Sequence, residues 1–238
     1  MAHTSMKTSL SSMNVTLLSH TPDPERVCAA AALTSYWHKG ASETFGVLTE
    51  NEIGDILSKV MGYGHVSVIE HATFTFSIEG ISRACSHQLV RHRLASYTQQ
   101  SQRYVRVEEL DPVVPATIAG EERAAEAYGA CMKAVQETYE TLVGLGVPTE
   151  DARFILPNAT TTNIVMTVNA RELRHFFKYR CCERAQWEIR AVAREMLALV
   201  RAVAPKIFKN AGPSCVCEHV CPEGDLSCGR IKVNANGT

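Results

Sequence analysis

Residues 91–104 read RHRLASYTQQSQRY, and this short stretch holds Arg91, His92, Arg93 and Arg103. Positive side chains this close repel one another, so a folded chain tolerates them only where water surrounds them or where an anion lies among them. Arginine also binds phosphate and carboxylate groups through two parallel hydrogen bonds. From residue types alone, the stretch is predicted to be an anion-binding loop, with phosphate as its ligand.

The polar run of residues 96–103 has no apolar face at helical or strand spacing. We therefore expect it to lie in water or to line a polar site, and not to form an ordinary half-buried strand. Upstream, HATFTFSIE (residues 71–79) alternates apolar and polar side chains and is the clearest strand in the chain. Gly80 is predicted to end that strand, and Ser82 to cap a helix that runs through about His92.

The rest of the chain reads as long helices with one further strand. Thr49 with Glu52 forms a capping-box pattern, and Asn169 with Glu172 three residues on forms another capping pattern; each predicts a helix start. Helices are predicted over residues 24–37, 50–61, 121–143, 150–156, 170–180 and 184–204, and the second strand over 158–168. The pattern predicts an α+β fold, in which a small antiparallel or mixed sheet packs with long helices in a single domain over residues 14–210.

Composition narrows the class of protein. The chain has 238 residues, 45% of them hydrophobic, and a formal net charge of −1. The near-neutral charge argues against a general nucleic-acid-binding surface, so the arginines of the loop are a local feature. Neither an apolar run of membrane-spanning length nor the apolar core of a signal peptide is present. We expect a cytoplasmic protein whose residues 1–13 form a disordered, polar N-terminal end.

Nine cysteines are a raised count, and four of them crowd into a C-terminal tail, residues 211–238. These are Cys215, Cys217, Cys221 and Cys228. Their spacing, C-x-C-x3-C-x6-C, is not one of the usual zinc knuckles, so reduced thiols are favoured and zinc is the alternative. The pair Cys181-Cys182 beside Arg180 could hold an activated thiol, although adjacent cysteines on a helix mostly reflect packing.

Several common site motifs are absent from the sequence. No G-x-G-x-x-G or P-loop spacing occurs, so a nucleotide cofactor would not be held by either of those loops. Ser101 does not lie in G-x-S-x-G, and there is no H-E-x-x-H. His65 and His71 flank Glu70, but their spacing does not place both histidines on one helix face, and a non-metal role is favoured.

The signature R-H-R-x-x-S-x-x-x-x-S-x-R is complete here and resembles that of the flavin-dependent thymidylate synthases. It is formed by Arg91, His92, Arg93, Ser96, Ser101 and Arg103. Other segments resemble the same family: His65–His71, Phe74–Phe76, Gln88–Val90, Ala152–Pro157, Thr167–Arg171, Ala185–Glu188 and the cysteine tail. The resemblance covers about residues 14–230.

This resemblance implies methylation of deoxyuridine monophosphate (dUMP) at C5 to give thymidylate (dTMP). The carbon would come from 5,10-methylenetetrahydrofolate, and the hydride from FAD that NADPH reduces. It further implies a homotetramer with active sites at subunit interfaces. The dianionic phosphate of dUMP and the pyrophosphate of FAD would supply the negative charge that the arginine loop requires.

The resemblance also implies roles for individual residues. Those implied to contact dUMP are Gln88, Arg91, Gln99, Gln100, Ser101, Gln102, Arg103, Arg153 and Arg180. Those implied to contact FAD are His65, Ser67, Arg91, His92, Arg93, Gln99, Asn169 and His175. Arg180 and Ser101 are the implied catalytic residues, Arg180 at the N3/O2 edge of uracil and Ser101 orienting the substrate without attacking it.

Two departures from the family pattern concern the pocket. Many members carry Glu where this chain has Gln99, and Asn where it has His175. Loss of a carboxylate makes a pocket more positive, so we expect slightly tighter phosphate binding. Two hypotheses from other classes remain: a nucleotide- or RNA-phosphate-binding module without redox chemistry, and a metal-organised interaction protein built on the cysteine tail.

Overall fold

A computed structural model describes residues 13–231. Within that range the chain forms two compact units. The first comprises residues 13–14, 78–91 and 97–165, and the second comprises residues 15–77, 92–96 and 166–231. The predicted disordered end lies outside the described residues, except for Met13. The boundaries proposed at residues 14 and 210 stay predictions.

Four strands form one sheet in the order β1-β2-β4-β3. Their bounds are β1 (Asn14–His20), β2 (Thr73–Ser82), β3 (Ala95–Gln99) and β4 (Thr161–Asn169). Contacts between β2 and β4 run in opposite directions: Thr75 meets Thr167 at 3.0 Å, and Gly80 meets Asn163 at 3.1 Å. The sheet is antiparallel, and with the helices it confirms the predicted α+β class.

β2 follows its predicted alternation but extends further than predicted. Phe74, Phe76 and Ile78 are fully buried, as the pattern requires. The prediction that Gly80 ends the strand is wrong, because β2 continues to Ser82. Gly80 has a φ of +67°, which a side chain would strain, and its N–H donates to Oδ1 of Asn163. A glycine can therefore bend the strand without ending it.

The expectation that residues 96–103 avoid strand structure is also wrong in part. Residues 95–99 form β3, which lies at one edge of the sheet. Its half-buried face is polar and bonded: Tyr97 donates to the carbonyl of Leu89 at 3.0 Å, and Gln99 donates to Ser86 at 2.9 Å. Polar side chains can face inward when they find such partners. β1, at the opposite edge, was not predicted.

The long helices confirm the sequence pattern, with shifted ends. They are α1 (Pro24–Thr34), α3 (Glu50–Gly62), α6 (Glu122–Gly144), α8 (Ala170–Arg180) and α9 (Trp187–Val203). Shorter helices are α2 (Ala41–Phe45), α4 (Arg83–Leu89), α5 (Ala116–Ala119), α7 (Thr149–Ala152), α10 (Pro205–Phe208) and α11 (Ser214–Cys217). Ser82 caps α4 as predicted, but this helix ends before Arg91. Along residues 13–231, no helix has both the length and the apolar character needed to cross a membrane.

The core of the second unit fixes helix α8, which carries much of the candidate site. Leu173, Phe176 and Phe177 of α8 are fully buried, and α8 packs against α9. Phe208 of α10 meets the ring of Phe177 edge-on, with centroids 6.0 Å apart. Asn169 caps the start of α8, because its Oδ1 accepts the N–H of Glu172 at 2.9 Å, as the sequence predicted. A helix packed and capped in this way holds its polar side chains in defined places.

Candidate active site

In the second unit, helix α8 carries Glu172, Phe176 and Arg180 at intervals of four residues. Residues at that spacing lie one above another on a helix face. The ring of His92 lies against this stripe, with its centroid 4.9 Å from that of Phe176. Its Nε2 is 3.1 Å from Nε of Arg180, and its Nδ1 is 3.4 Å from Oε1 of Glu172. His92 thus connects the first turn of α8 with its last residue.

The chemistry of these groups fixes the direction of both contacts. The Nε–H of arginine can only donate, so Nε2 of His92 must accept and carry no proton. The proton of the neutral ring then resides on Nδ1, where it faces the Glu172 carboxylate. Histidine is commonly held in one tautomer by the bond that its other nitrogen makes.

Charge states follow from burial. His92 is 8% exposed, and burial, reinforced by the positive charges of Arg180 and His175, lowers the pKa of His92 to about 4. His92 is therefore neutral at pH 7, and its contact with Glu172 is a hydrogen bond and not an ion pair. Burial raises the pKa of Glu172, while the nearby His175 acts in the opposite direction.

Other predicted FAD residues of the second unit line two hollows that share Glu70. One is bordered by Asn169 and His175, and the other by His65 and Ser67. Glu70 itself pairs with Arg171 at 2.5 Å. The structure therefore brings these four predicted residues to neighbouring surfaces of one unit. Arg93 belongs to the same unit and is exposed.

Metal binding is poorly supported within the described residues. Among residues 13–231, His92, Glu172 and His175 form the one group whose ligand atoms lie within 4.8 Å of one another. A cation there would meet the Arg180 guanidinium, whose proton already occupies Nε2 of His92. Over the same range the tail cysteines form no such group, and Cys221 instead donates to Ser227 at 3.4 Å.

The thiol beside Arg180 is a packing residue. Cys181 is buried, and burial raises the pKa of its thiol to about 11. A thiol that stays protonated at neutral pH is a poor nucleophile. The interpretation of Cys181 as an activated thiol therefore loses its support, and the packing interpretation is favoured.

In the first unit, Gln99 turns inward. Its amide nitrogen donates to Ser86 at 2.9 Å and to Thr162 at 3.2 Å. The next residue, Gln100, is exposed, and its Oε1 accepts from the side chain of Asn163 at 3.3 Å. Gln99 is thus tied to the interior of its unit, whereas the side chain of Gln100 lies at the surface.

The segment after β3 folds into a turn around Ser101. The Ser101 hydroxyl accepts the backbone N–H of Arg103 at 3.2 Å. The guanidinium of Arg103 makes a two-point contact with Glu150, at 2.9 Å through Nε and 2.8 Å through Nη2. Gln100, Ser101 and Gln102 line a shared hollow of this unit. The turn therefore presents a run of predicted nucleotide-binding residues from one short segment.

Arg153 lies near the same segment through Glu150. Its Nε donates to the Glu150 carbonyl at 3.0 Å, while the carboxylate of Glu150 holds Arg103. Burial and the positive charge of Arg153 lower the pKa of Arg83, so these two cations are close enough to repel. Of the remaining predicted contacts, Gln88 is half-buried on α4 and Arg91 is exposed just beyond it.

Comparison with known proteins identifies the family. The profile described as "Thymidylate synthase complementing protein" matches residues 16–206. The flavin-dependent thymidylate synthase of Geobacter sulfurreducens is 54% identical over 92% of this chain and 94% of its own length. The enzyme of the same name from Pyrococcus furiosus is 47% identical, over 90% of this chain and 91% of its own.

The chain belongs to the flavin-dependent thymidylate synthase family. This membership confirms the resemblance carried by residues 91–103. It also weighs against the phosphate-binding module and the metal-organised interaction protein, because the family is one of enzymes. A crystal structure of a UMP/dUMP methylase from Streptomyces cacaoi, bound with 5-Br dUMP, shares the fold of this family member: the TM-score is 0.71 at 22% identity, over 83% of this chain and 93% of that one.

Two residues of this flavin-dependent thymidylate synthase family member, Glu172 and Glu150, contact predicted site residues although the sequence did not indicate it. The sequence pattern places Glu172 only in a helix-capping motif and indicates no particular role for Glu150. The signal for Glu172 lies in its spacing, since Glu172 and Arg180 are separated by two helical repeats of four residues. No comparable local signal links Glu150 to Arg103, because 47 positions separate them in the chain.

Proposed function

We propose that this chain is a thymidylate synthase that methylates dUMP at C5 to give dTMP. In this proposal 5,10-methylenetetrahydrofolate donates the carbon, and NADPH reduces FAD. The proposal is carried by the similarity to the flavin-dependent thymidylate synthase of Geobacter sulfurreducens, which extends over nearly the full length of both chains at 54% identity. This chain also keeps the whole signature of residues 91–103.

The nucleotide would be bound mainly by the arginine and glutamine residues near β3. Ser101, Gln102 and Arg103 form one turn, and Arg153 lies near it through Glu150. Guanidinium groups suit a dianionic phosphate because each can donate two parallel hydrogen bonds. Gln88, Arg91, Gln99 and Gln100 complete the proposed set, together with Arg180. Because the side-chain amide nitrogen of Gln99 already donates to Ser86 and Thr162, we assign its side-chain carbonyl oxygen to the ligand.

FAD would be held by the hydrogen-bond donors of the second unit. The exposed side chains of Arg93 and His175, and the amide of Asn169, have the chemistry that a pyrophosphate requires. His65 and Ser67, on the other hollow beside Glu70, complete the set with Arg91 and Gln99. His92 differs from them, because both of its ring nitrogens already bond protein groups. FAD, when bound, supplies the hydride for the reaction.

The proposed chemistry assigns the protein an electrostatic and orienting role. As the uracil ring gains electron density at O2 and N3, a fixed Arg180 guanidinium would stabilise that charge. Ser101 would orient the nucleotide, because its hydroxyl already accepts the backbone N–H of Arg103 and so belongs to the structure of the turn. The buried thiols of Cys28 and Cys181 have pKa values raised to about 12 and about 11, which argues against either as a nucleophile.

We include assembly and location in the same proposal. The family resemblance implies a homotetramer whose subunits share active sites. A cytoplasmic location fits the state of the cysteines, because all nine are free thiols and reducing compartments keep them so.

The flavin test uses the purified protein. We expect a yellow preparation with an oxidised-flavin spectrum that bleaches anaerobically when NADPH is added and recovers in air. A colourless protein that does not take up added FAD would contradict the proposed function and would revive the phosphate-binding module. Metal analysis of the same preparation tests the zinc alternative for the tail.

A further inference from the structure

The geometry points to a positioning relay in which Glu172 acts through His92 to hold the guanidinium of Arg180. Glu172 is 7% exposed and His92 8% exposed, so the first two members are shielded from water. Arg180 is half-buried at the end of α8. The relay itself does not depend on the proposed function. Only its effect on dUMP binding does, because that effect assumes that Arg180 contacts the uracil ring.

A hydrogen bond from Arg180 to His92 requires one particular form of the histidine. If the ring proton moved to Nε2, that proton would face the Nε–H of Arg180, and two donors would repel. The Glu172 carboxylate prevents this, because it can only accept and therefore favours the proton on Nδ1. Burial strengthens the preference, since an unpaired polar atom is costly away from water.

Arg180 needs such support because of where it lies. It is the last residue of α8, and helix ends fray. An arginine side chain also has many rotamers, and ordering them on binding costs affinity. A bond at Nε fixes the plane of the guanidinium and hence the direction of its two terminal nitrogens. Glu172, by contrast, lies in the capped first turn of α8, so the relay connects the last residue of the helix to its capped start.

The ring of Phe176 completes the relay. It meets His92 edge-on at 4.9 Å and is itself fully buried. The imidazole therefore cannot tilt far from the line between Glu172 and Arg180. His175, whose centroid is 6.1 Å from that of His92, adds a positive charge when protonated and disfavours a charged His92. Burial and the positive charges of Arg180 and His175 thus favour the neutral form that accepts from Arg180.

The test compares Glu172→Ala with a control at another glutamate that contacts the same helix, Glu218→Gln. Glu218 also contacts α8, through Lys178 at 2.7 Å, but on the exposed side. Nitrogen-15 spectra of the full-length protein report the His92 tautomer and the exchange of the Arg180 Nε–H with water. The His92 signal is the one that disappears in His92→Gln.

We expect the wild-type spectrum to show a proton on Nδ1 of His92 at every pH from 8 to 5, and a slowly exchanging Arg180 Nε–H. Glu172→Ala should speed that exchange at least tenfold, and Glu218→Gln should leave it unchanged. The relay would be overturned if wild-type His92 carried its proton on Nε2. It would also be overturned if the Arg180 Nε–H exchanged equally fast in wild type and in Glu172→Ala. These measurements need no substrate, so they stand even if the proposed activity fails.

A nucleotide titration then tests the consequence. On FAD-loaded protein, Glu172→Ala should raise the Kd for dUMP about tenfold, as expected for losing one hydrogen bond to a charged group. In an Arg180→Lys background, which lacks Nε, the same change should raise Kd less than twofold. Additive effects would show that Glu172 acts independently of Arg180 and would overturn the relay, whereas wild-type protein that binds no dUMP would refute the proposed function.

Discussion

Nε of Arg180 lies 3.1 Å from Nε2 of His92, so the central residue of the RHR triplet touches the one arginine that we assign to the uracil ring. The triplet is therefore not uniform. Arg91 and Arg93 are exposed cations, whereas His92 is a buried, neutral acceptor. The signature therefore supplies two exposed positive charges and, in His92, a contact that supports Arg180, 88 positions away in the chain.

Replacing Arg180 with alanine should reduce catalysis far more than flavin binding. The guanidinium is proposed to meet charge that develops on the uracil, and removing one such donor costs about a hundredfold or more in rate. We expect kcat/KM to fall by about that factor while the FAD content per subunit stays constant. Arg91→Ala, placed in both ligand sets, should lower both. Full activity in Arg180→Ala would reject its role.

The Ser101→Ala variant should remain active. Its hydroxyl accepts the N–H of Arg103 in the turn that carries the nucleotide-binding residues, so its loss should loosen that turn. We expect the KM for dUMP to rise about tenfold, consistent with about 1.4 kcal/mol, and kcat to change less. Complete loss of turnover with intact dUMP and FAD binding would instead make Ser101 the nucleophile.

The Gln99→Glu variant should destabilise the fold. In this chain the Gln99 amide donates to Ser86, whose own hydroxyl donates to the Arg83 carbonyl at 2.9 Å. A carboxylate would face an oxygen whose proton is already used, at a cost of about 1–3 kcal/mol. Urea unfolding measures it, with the exposed Thr98→Glu as control. Equal stability would indicate that Ser86 redirects its proton.

The lowered pKa of His92 predicts a loss of stability in mild acid. Between pH 6.5 and about 4, the unfolded chain binds a proton on His92 that the folded chain does not. The contribution of His92 to the free energy of unfolding is therefore fully present above this window and is lost as the pH falls through it. Between pH 7 and pH 5 the loss is about 2 kcal/mol. The raised pKa of Glu172 acts in the opposite direction and reduces the total.

Comparing wild type with His92→Gln isolates that contribution. The variant keeps a side chain that can accept from Arg180 but has no group that titrates in this range. Its unfolding free energy should therefore depend less on pH between 7 and 5. Equal pH slopes in urea unfolding would show that His92 is not held neutral in the folded chain.

Local pattern predicted much of the fold and only part of the site. The alternation of β2 and the capping residues Ser82 and Asn169 are local signals, and the structure bears them out. β3 escaped prediction because its inward residues are polar and find partners distant in the chain, such as Thr162 for Gln99. The relay of Glu172 escaped prediction for the same reason, because its partner His92 is distant in the chain and no local pattern links the two.

The product of the reaction tests the central claim most directly. Purified protein with FAD, dUMP, 5,10-methylenetetrahydrofolate and NADPH is incubated without oxygen, and the nucleotides are analysed by mass spectrometry. We predict dTMP, heavier than dUMP by one methylene group, that forms only when all components are present and falls about a hundredfold in Arg180→Ala. Unchanged dUMP from a protein that has bound FAD would contradict the account.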